Sequence, residues 1–152
     1  MFPVLNLPIP ELRLSESKTG RQVFDIIRKK FVPLTPEEWV RQHWIHFLIN
    51  EKKVPLPLIA VEKMIKVHNT SKRVDLLVYK NDFQPILMIE LKSQLIRLEQ
   101  AELNQLMRYN ISVKSSYCLL SNGLEHIILD CRSLSCRILD HLPDYPQLIE
   151  NL

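Results

Sequence analysis

Glycine is almost missing from this chain: Gly20 and Gly123 are the two glycines in 152 residues. So far apart, they build neither G-x-x-x-x-G-K-[ST] nor G-x-G-x-x-G. The phosphate-cradling loops of nucleotide-driven motors and dinucleotide enzymes are therefore excluded. Cysteine is scarce as well. Cys118, Cys131 and Cys136 are odd in number and form no Cys-x-x-Cys pair, which points to reduced thiols and a cytoplasmic location. No window approaches 18 consecutive apolar residues, so no membrane span is expected. The opening "MFPVLNLPIPELRL" lacks the basic start and clean apolar run of a signal peptide. A dominant charge sign is also lacking: 20 Lys and Arg face 17 Asp and Glu, for a net charge of +3. That balance permits a nucleic acid partner without arguing for one. The small clusters Arg28-Lys29-Lys30, Lys52-Lys53 and Lys72-Arg73 read first as solvated surface.

What is present suits one domain with a single core, since 46% of the residues are apolar and 24% charged. Residues 1–20 hold three prolines and the polar run "SESKTG", and are expected to form an arm without regular structure ahead of one domain over 21–152. Residues 21–34 fit a short helix or two brief extended pieces equally well. "LTPEEWVRQHWIHFLINEKK" predicts a helix: Thr35 is an N-cap, Pro36 suits the first helical position, and Glu37 and Glu38 favour the positive end of the dipole. Glu38 also sits where a capping box with Thr35 needs it. Val40, Trp44, Phe47 and Leu48 recur at helical spacing as its core face.

"IAVEKMIKV", "RVDLLVY" and "PILMIELK" follow as three short strands with turn-like links, an antiparallel meander. A second helix is expected over "RLEQAELNQLMRYN", packing through Leu98, Ala101, Leu106 and Met107. "SYCLLS" and "LEHIILD" then read as two strands joined at Asn122-Gly123, before a tail with a short helical end. The order gives an α/β fold, a mixed β-sheet flanked by helices.

Three charges break the apolar strands. Asp75 stands alone in "RVDLLVY", and Glu90 and Lys92 interrupt "PILMIELK" on one face, because side chains alternate along a strand. The short link between these strands brings Asp75 close to Glu90. Two adjacent carboxylates resist ionisation unless a cation sits between them. Hard oxygen ligands suit Mg²⁺, and the Leu91 carbonyl offers a further oxygen. Lys92 would then orient a water or stabilise charge on a phosphate, a combination suited to phosphodiester hydrolysis. An E-x-K triplet by itself is ordinarily surface charge, and a buried structural ion cluster shows the same pattern, so the strands alone leave both readings open. His43 and His46 lie three apart on the first helix, but without a third ligand at diagnostic spacing they read as packed or surface histidines rather than a zinc site. Trp39, Trp44 and Tyr117 could stack on bases, though Trp44 falls on the core face.

These residues resemble a known superfamily. Asp75 followed by Glu90-x-Lys92 is similar to the D…(D/E)-x-K signature of PD-(D/E)XK nucleases, with Val74 in place of the proline. Further, "LTPEEWVRQ", "RVDLLVY", "ILMIELKS", "QLMRYN" and "LLSNGLEH", in that order, resemble the N-terminal nuclease domain of type I restriction enzyme R subunits, over about residues 21–130. The resemblance implies a restriction-endonuclease-like fold and a Mg²⁺-dependent DNA endonuclease, with Mn²⁺ able to substitute. Asp75 and Glu90 would be metal ligands and Lys92 the catalytic lysine. A first-helix carboxylate joins them in the family; Glu37 or Glu38 fills that place, and Glu38 is favoured. Gln105 and Tyr109 match the family's Q-x-x-x-Y element and would approach the site or a DNA backbone from one helix face. DNA is the implied partner, with methyltransferase, specificity or translocase subunits encoded separately. The family's translocase does not fit in 152 residues, so the chain reads as a free-standing relative or a piece of a longer protein. The alternative function is a non-cleaving DNA- or protein-binding module that keeps the nuclease fold.

Overall fold

A computed structural model describes residues 1–150. The main sheet has six strands in the order β4-β5-β6-β7-β8-β9: β4 (Ile59–Val67), β5 (Thr70–Tyr79), β6 (Pro85–Leu91), β7 (Tyr117–Ser121), β8 (His126–Asp130) and β9 (Arg137–Leu139). Strands β4, β5 and β6 form the expected antiparallel meander, and β6 runs parallel to β7 through the crossover helix α2 (Gln100–Val113). A parallel step needs such a long connection, and it makes the sheet mixed. Helix α1 (Pro36–Asn50) covers one face and α2 the other.

Strand alternation divides the core between these helices. Leu87, Ile89 and Leu91 of β6 pack with Val40, Trp44, Ile45 and Leu48 of α1. Met88, on the opposite parity, packs with Leu106 and Tyr109 of α2. Ala101, expected to pack, is exposed; Leu103 and Tyr109 lie on the buried face instead, because the helix turns its Leu98-Leu106-Met107 stripe only partly inward. Asn122 closes the β7–β8 turn by accepting the N–H groups of Leu124 and Glu125, and Gly123 takes φ +86° there. The short helical end is α3 (Tyr145–Glu150); Asn151 and Leu152 lie outside the described residues.

The N-terminal arm departs from expectation, while residues 21–34 take the extended one of their two readings. Residues 14–17, placed in an irregular arm, form strand β1 (Leu14–Ser17) in a hairpin with β2 (Gly20–Asp25), and β3 (Lys30–Pro33) completes a separate three-stranded sheet. "SESKTG" reads as a loop because β1 and the turn are almost wholly exposed and leave no apolar alternation to detect. Ahead of it the chain is irregular but docked. Asn6 donates its N–H to the Gly123 carbonyl at 2.8 Å, the Asn6 carbonyl lies 2.9 Å from His126 Nε2, and Trp39 Nε1 donates to the Pro3 carbonyl. Leu5 fills the space over Gly123 so closely that an added Cβ would meet it at 2.9 Å.

No helix among the described residues is long and apolar enough to cross a membrane. The three cysteines carry no disulfide.

Leu87 is fully buried and paired with Val78 on one side and Tyr117 on the other, so it is a direct probe of the central sheet. Leu87→Ala is expected to cost about 3 kcal/mol, read from the urea unfolding midpoint at unchanged slope.

Candidate active site

The β5–β6 register pairs Leu76 with Ile89, so the next residues outward, Asp75 and Glu90, face each other where the ladder ends. Asp75 Oδ2 accepts the Leu91 N–H at 2.8 Å, which pins the carboxylate across the strands. Its other oxygen, Oδ1, accepts from Arg41 Nη2 of α1 at 2.7 Å. Lys92 is the first residue beyond β6, and its N–H donates to the Ser121 carbonyl at the end of β7. These groups, together with Glu37, Glu62 and Arg73, line a cleft of about 300 Å³.

Within this cleft Glu90 is anomalous. It is 5% exposed, and its Oε2 has no hydrogen-bond partner. Burial, reinforced by the Asp75 charge and opposed by Lys92, pushes its carboxyl up to about 8. The same influences raise Glu37: burial first, then Asp75.

The two first-helix glutamates have exchanged their expected places. Glu38, favoured for the site, is turned away from the cleft. Its Oε1 takes hydrogen bonds from Arg28 Nη2 and from Gln42 Nε2 (2.9 Å), and its Oε2 takes one from Arg41 Nη1. Thr35 Oγ1 does cap the Glu38 N–H at 3.1 Å, but the reciprocal half of the capping box is absent, because the Glu38 side chain serves these cations instead. Glu37 lines the cleft, with its side chain 47% exposed and Arg41 Nη2 at 3.1 Å. Sequence cannot separate the two, since both suit a helix N-terminus. What decides between them is Arg28, on the turn after β2.

That turn is itself held by Asp25, which is fully buried. Asp25 accepts the N–H groups of Ile27 and Arg28, the Arg28 side chain, and Gln42 Nε2. Burial opposes its ionisation, and these donors outweigh it, so the net shift of Asp25 is downward. Arg41 completes the network by bonding Glu37, Glu38 and Asp75 together, and their charges hold its guanidinium protonated against the cost of burial.

Gln105 does not reach this cleft. Its Nε2 donates to the Tyr109 hydroxyl at 2.9 Å, so the two residues do share one face of α2, but Tyr109 is packed into the core on that side of the sheet. His43 is buried, with Nδ1 2.8 Å from the Trp39 carbonyl, and burial lowers its pKa. Among the described residues no three His, Cys, Asp or Glu side chains are already grouped as metal ligands. In the cleft the reason is visible: Arg41 stands on Asp75 and Glu37. Arg41, Glu62 and Arg73 were missed by sequence reading. A signal did exist for Arg41, four residues after Glu37 on one helix face. Glu62 gives none, although its φ of 52° inside a strand marks a constrained backbone.

A larger cavity, about 900 Å³, lies at the far end of α2 beside Lys114, Asp130 and Arg137. Its buried carboxylate, Asp130, is already held by Arg132 and Arg137. The unsatisfied carboxylate is in the smaller cleft.

The fold and cleft define a nuclease-like domain of restriction-endonuclease-like architecture. The chain belongs to the family described as the type I restriction enzyme R protein N terminus, which it matches over residues 36–146. Two solved structures share the fold. One is a fragment assigned as an HsdR subunit of a type I restriction enzyme from Vibrio vulnificus YJ016. It superposes with a TM-score of 0.59 at 19% identity, over 77% of this chain and 25% of that one. The other is a protein from Anabaena variabilis ATCC 29413 assigned as a nuclease of the DUF820 group, with a TM-score of 0.50 at 13% identity, over 91% of this chain and 88% of that one. The chain thus spans a quarter of the length of the HsdR fragment. No curated protein matches it.

Glu90 generates a test that needs no substrate. Its folded value of about 8 lies above the ordinary 4.5, so between those pH values the folded protein keeps a proton that the unfolded chain has released. Glu90 therefore subtracts stability progressively as pH rises through that window. Glu90→Gln, neutral throughout, is expected to raise the thermal midpoint of the metal-free protein by several °C more at pH 8 than at pH 5, of the order that about 1–2 kcal/mol produces. Equal gains at both pH values would show that Glu90 does not titrate within this window.

Proposed function

We propose that this domain hydrolyses phosphodiester bonds of DNA with Mg²⁺, for which Mn²⁺ can substitute. The observation that carries the reading is Glu90: a buried carboxylate with an unpartnered oxygen, facing a second carboxylate in an open cleft. Such a pair suits a hard divalent cation, and Asp75, Glu90 and the Leu91 carbonyl are the oxygens we assign to it. Glu37 supplies the first-helix carboxylate in place of Glu38, since it borders the cleft and Glu38 is spent on Arg28, Arg41 and Gln42. When bound, the cation would supply Lewis acidity: it would lower the pKa of water so that hydroxide attacks phosphorus, and offset charge as the P–O ester bond to the leaving oxygen breaks.

The protein's own groups do the rest. The Ser121 carbonyl fixes the Lys92 backbone at the mouth of the cleft, from which its ammonium can hold the attacking water or offset charge building on the phosphate. Arg41 bonds both Asp75 and Glu37 and offsets part of their mutual repulsion. Membership of the R-protein N-terminal family supports DNA as the substrate. It also suggests methyltransferase, specificity or translocase subunits as partners.

The direct test is purified protein with supercoiled plasmid and Mg²⁺ or Mn²⁺. Lys92→Ala is expected to slow cleavage by at least about 100-fold, and undiminished cutting by this variant would sink the mechanism.

The first-helix assignment has its own test. Glu37→Gln is expected to weaken Mn²⁺ binding, followed by the loss of free-ion EPR signal, with little change in the urea midpoint. Glu38→Gln should instead lower stability by about 3 kcal/mol, read from the urea midpoint, because buried donors lose a charged acceptor.

A second reading, a non-cleaving module that keeps the fold, draws on the hold Arg41 already has on Asp75. Absence of Mn²⁺ binding at millimolar concentration would favour it.

A further inference from the structure

The hairpin of β4 and β5 runs past the cleft as a two-stranded ribbon with one face against α2. Beyond Glu62 and Asp75 it pairs Lys63 with Val74, Met64 with Arg73, Ile65 with Lys72, Lys66 with Ser71 and Val67 with Thr70. Its tip is a two-residue turn, with His68 at φ 48° and Asn69 at φ 63°, the left-handed pair that a tight right-twisted hairpin requires. From Glu62 to Val67 the ribbon extends roughly 17 Å, at about 3.3 Å per residue.

Its charge is one-sided. Residues 63–74 contain Lys63, Lys66, Lys72 and Arg73 and no Asp or Glu, in a chain whose total is only +3. All four cations are exposed. Arg73 reaches back to Glu62 at 3.4 Å and lines the cleft, whereas among the described residues no carboxylate lies in ion-pair range of Lys63, Lys66 or Lys72. The ribbon is not loose. Val67 and Val74 are buried, and with Ile65 they join the core under α2, which leaves Met64, Lys66, Ser71 and Arg73 on the opposite face.

Lysines also guard an open strand edge against self-association, but that role does not call for cations on both strands and both faces of the ribbon. The exclusive sign is what a polyanion selects. A duplex carries a phosphate charge for about every 1.7 Å of axis, both strands counted, so a 17 Å ribbon lies along a length that carries on the order of ten of them. A β-ribbon is also narrow enough to follow a major groove about 12 Å wide.

We propose that the β4–β5 hairpin is a backbone-gripping arm for duplex DNA, its Lys66 reaching phosphates from the face shared with Arg73 and its Lys63 and Lys72 from the opposite face. The proposal rests on the nuclease reading and extends it from the bond cut to the form of substrate held.

The test is fluorescence anisotropy of a labelled duplex of about 20 base pairs, with Ca²⁺ in place of Mg²⁺, over a salt series. The double variant Lys66→Ala/Lys72→Ala is expected to bind about tenfold more weakly near 0.1 M salt. Its slope of log affinity against log salt should be shallower by about 1.8, about 0.9 for each phosphate that is no longer neutralised. Lys53→Ala/Lys80→Ala removes the same charge beyond the end of α1 and at the other end of β5, and is expected to stay within about twofold of the parent. Urea midpoints confirm that both variants fold. Parental affinity in Lys66→Ala/Lys72→Ala, or equal losses in the two double variants, would overturn the arm while leaving cleavage by the parent, and so the nuclease reading, intact. An equal loss on a single strand of the same length would overturn the duplex assignment. A parent that neither binds nor cuts DNA would overturn both.

Discussion

Five carboxylates meet at one end of this sheet, and two guanidinium groups make their meeting tolerable. Arg28 joins Asp25, Glu38 and Glu62; Arg41 joins Glu37, Glu38 and Asp75. Glu90 is left out of both sets, and it is the carboxylate pushed furthest from its ordinary value. The small antiparallel sheet, the first helix and the central meander each send a member into this network. Their relative placement is thus set by charge pairing at one end as much as by apolar packing in the middle. Removing one partner of such a buried set leaves the others uncompensated, at a cost of about 3–5 kcal/mol, which makes it a rigid corner of the molecule.

The network also separates support from chemistry. Glu38 and Asp25 are saturated with donors and act as anchors. Glu90 has an oxygen to spare and Glu37 faces solvent, so exchange with a ligand costs least at these two positions. Arg41 lies on the border, since it belongs to the anchor through Glu38 and to the cleft through Asp75.

Much of this was readable from residues alone, and the division follows a physical line. The meander, the cap at Thr35, the Asn-Gly turn and the pairing of Asp75 with Glu90 are all local or period-two signals that survive without tertiary context. The choice between Glu37 and Glu38 was not readable, because helix-dipole and capping arguments favour both and the deciding cation comes from the turn after β2. Gln105 failed for a related reason: a shared helix face is visible in sequence, but the direction of that face depends on which neighbour, here the core holding Tyr109, claims it. Strand β1 was hidden by its exposure, and Glu62 by lying in a strand whose other charges, Lys63 and Lys66, are exposed lysines without a carboxylate partner among the described residues to mark it.

The contact of Leu5 and Asn6 with the Gly123 turn has a bearing on how the chain matures on the ribosome. An early segment docks partly on α1, through Trp39, and partly against a turn made more than a hundred residues later. At about 5–20 residues per second, the interval from Asn6 to His126 is roughly 6–24 s. Through that interval the Gly123 part of the Leu5 contact is missing, so residues 5–6 complete their packing only after the β7–β8 hairpin has formed.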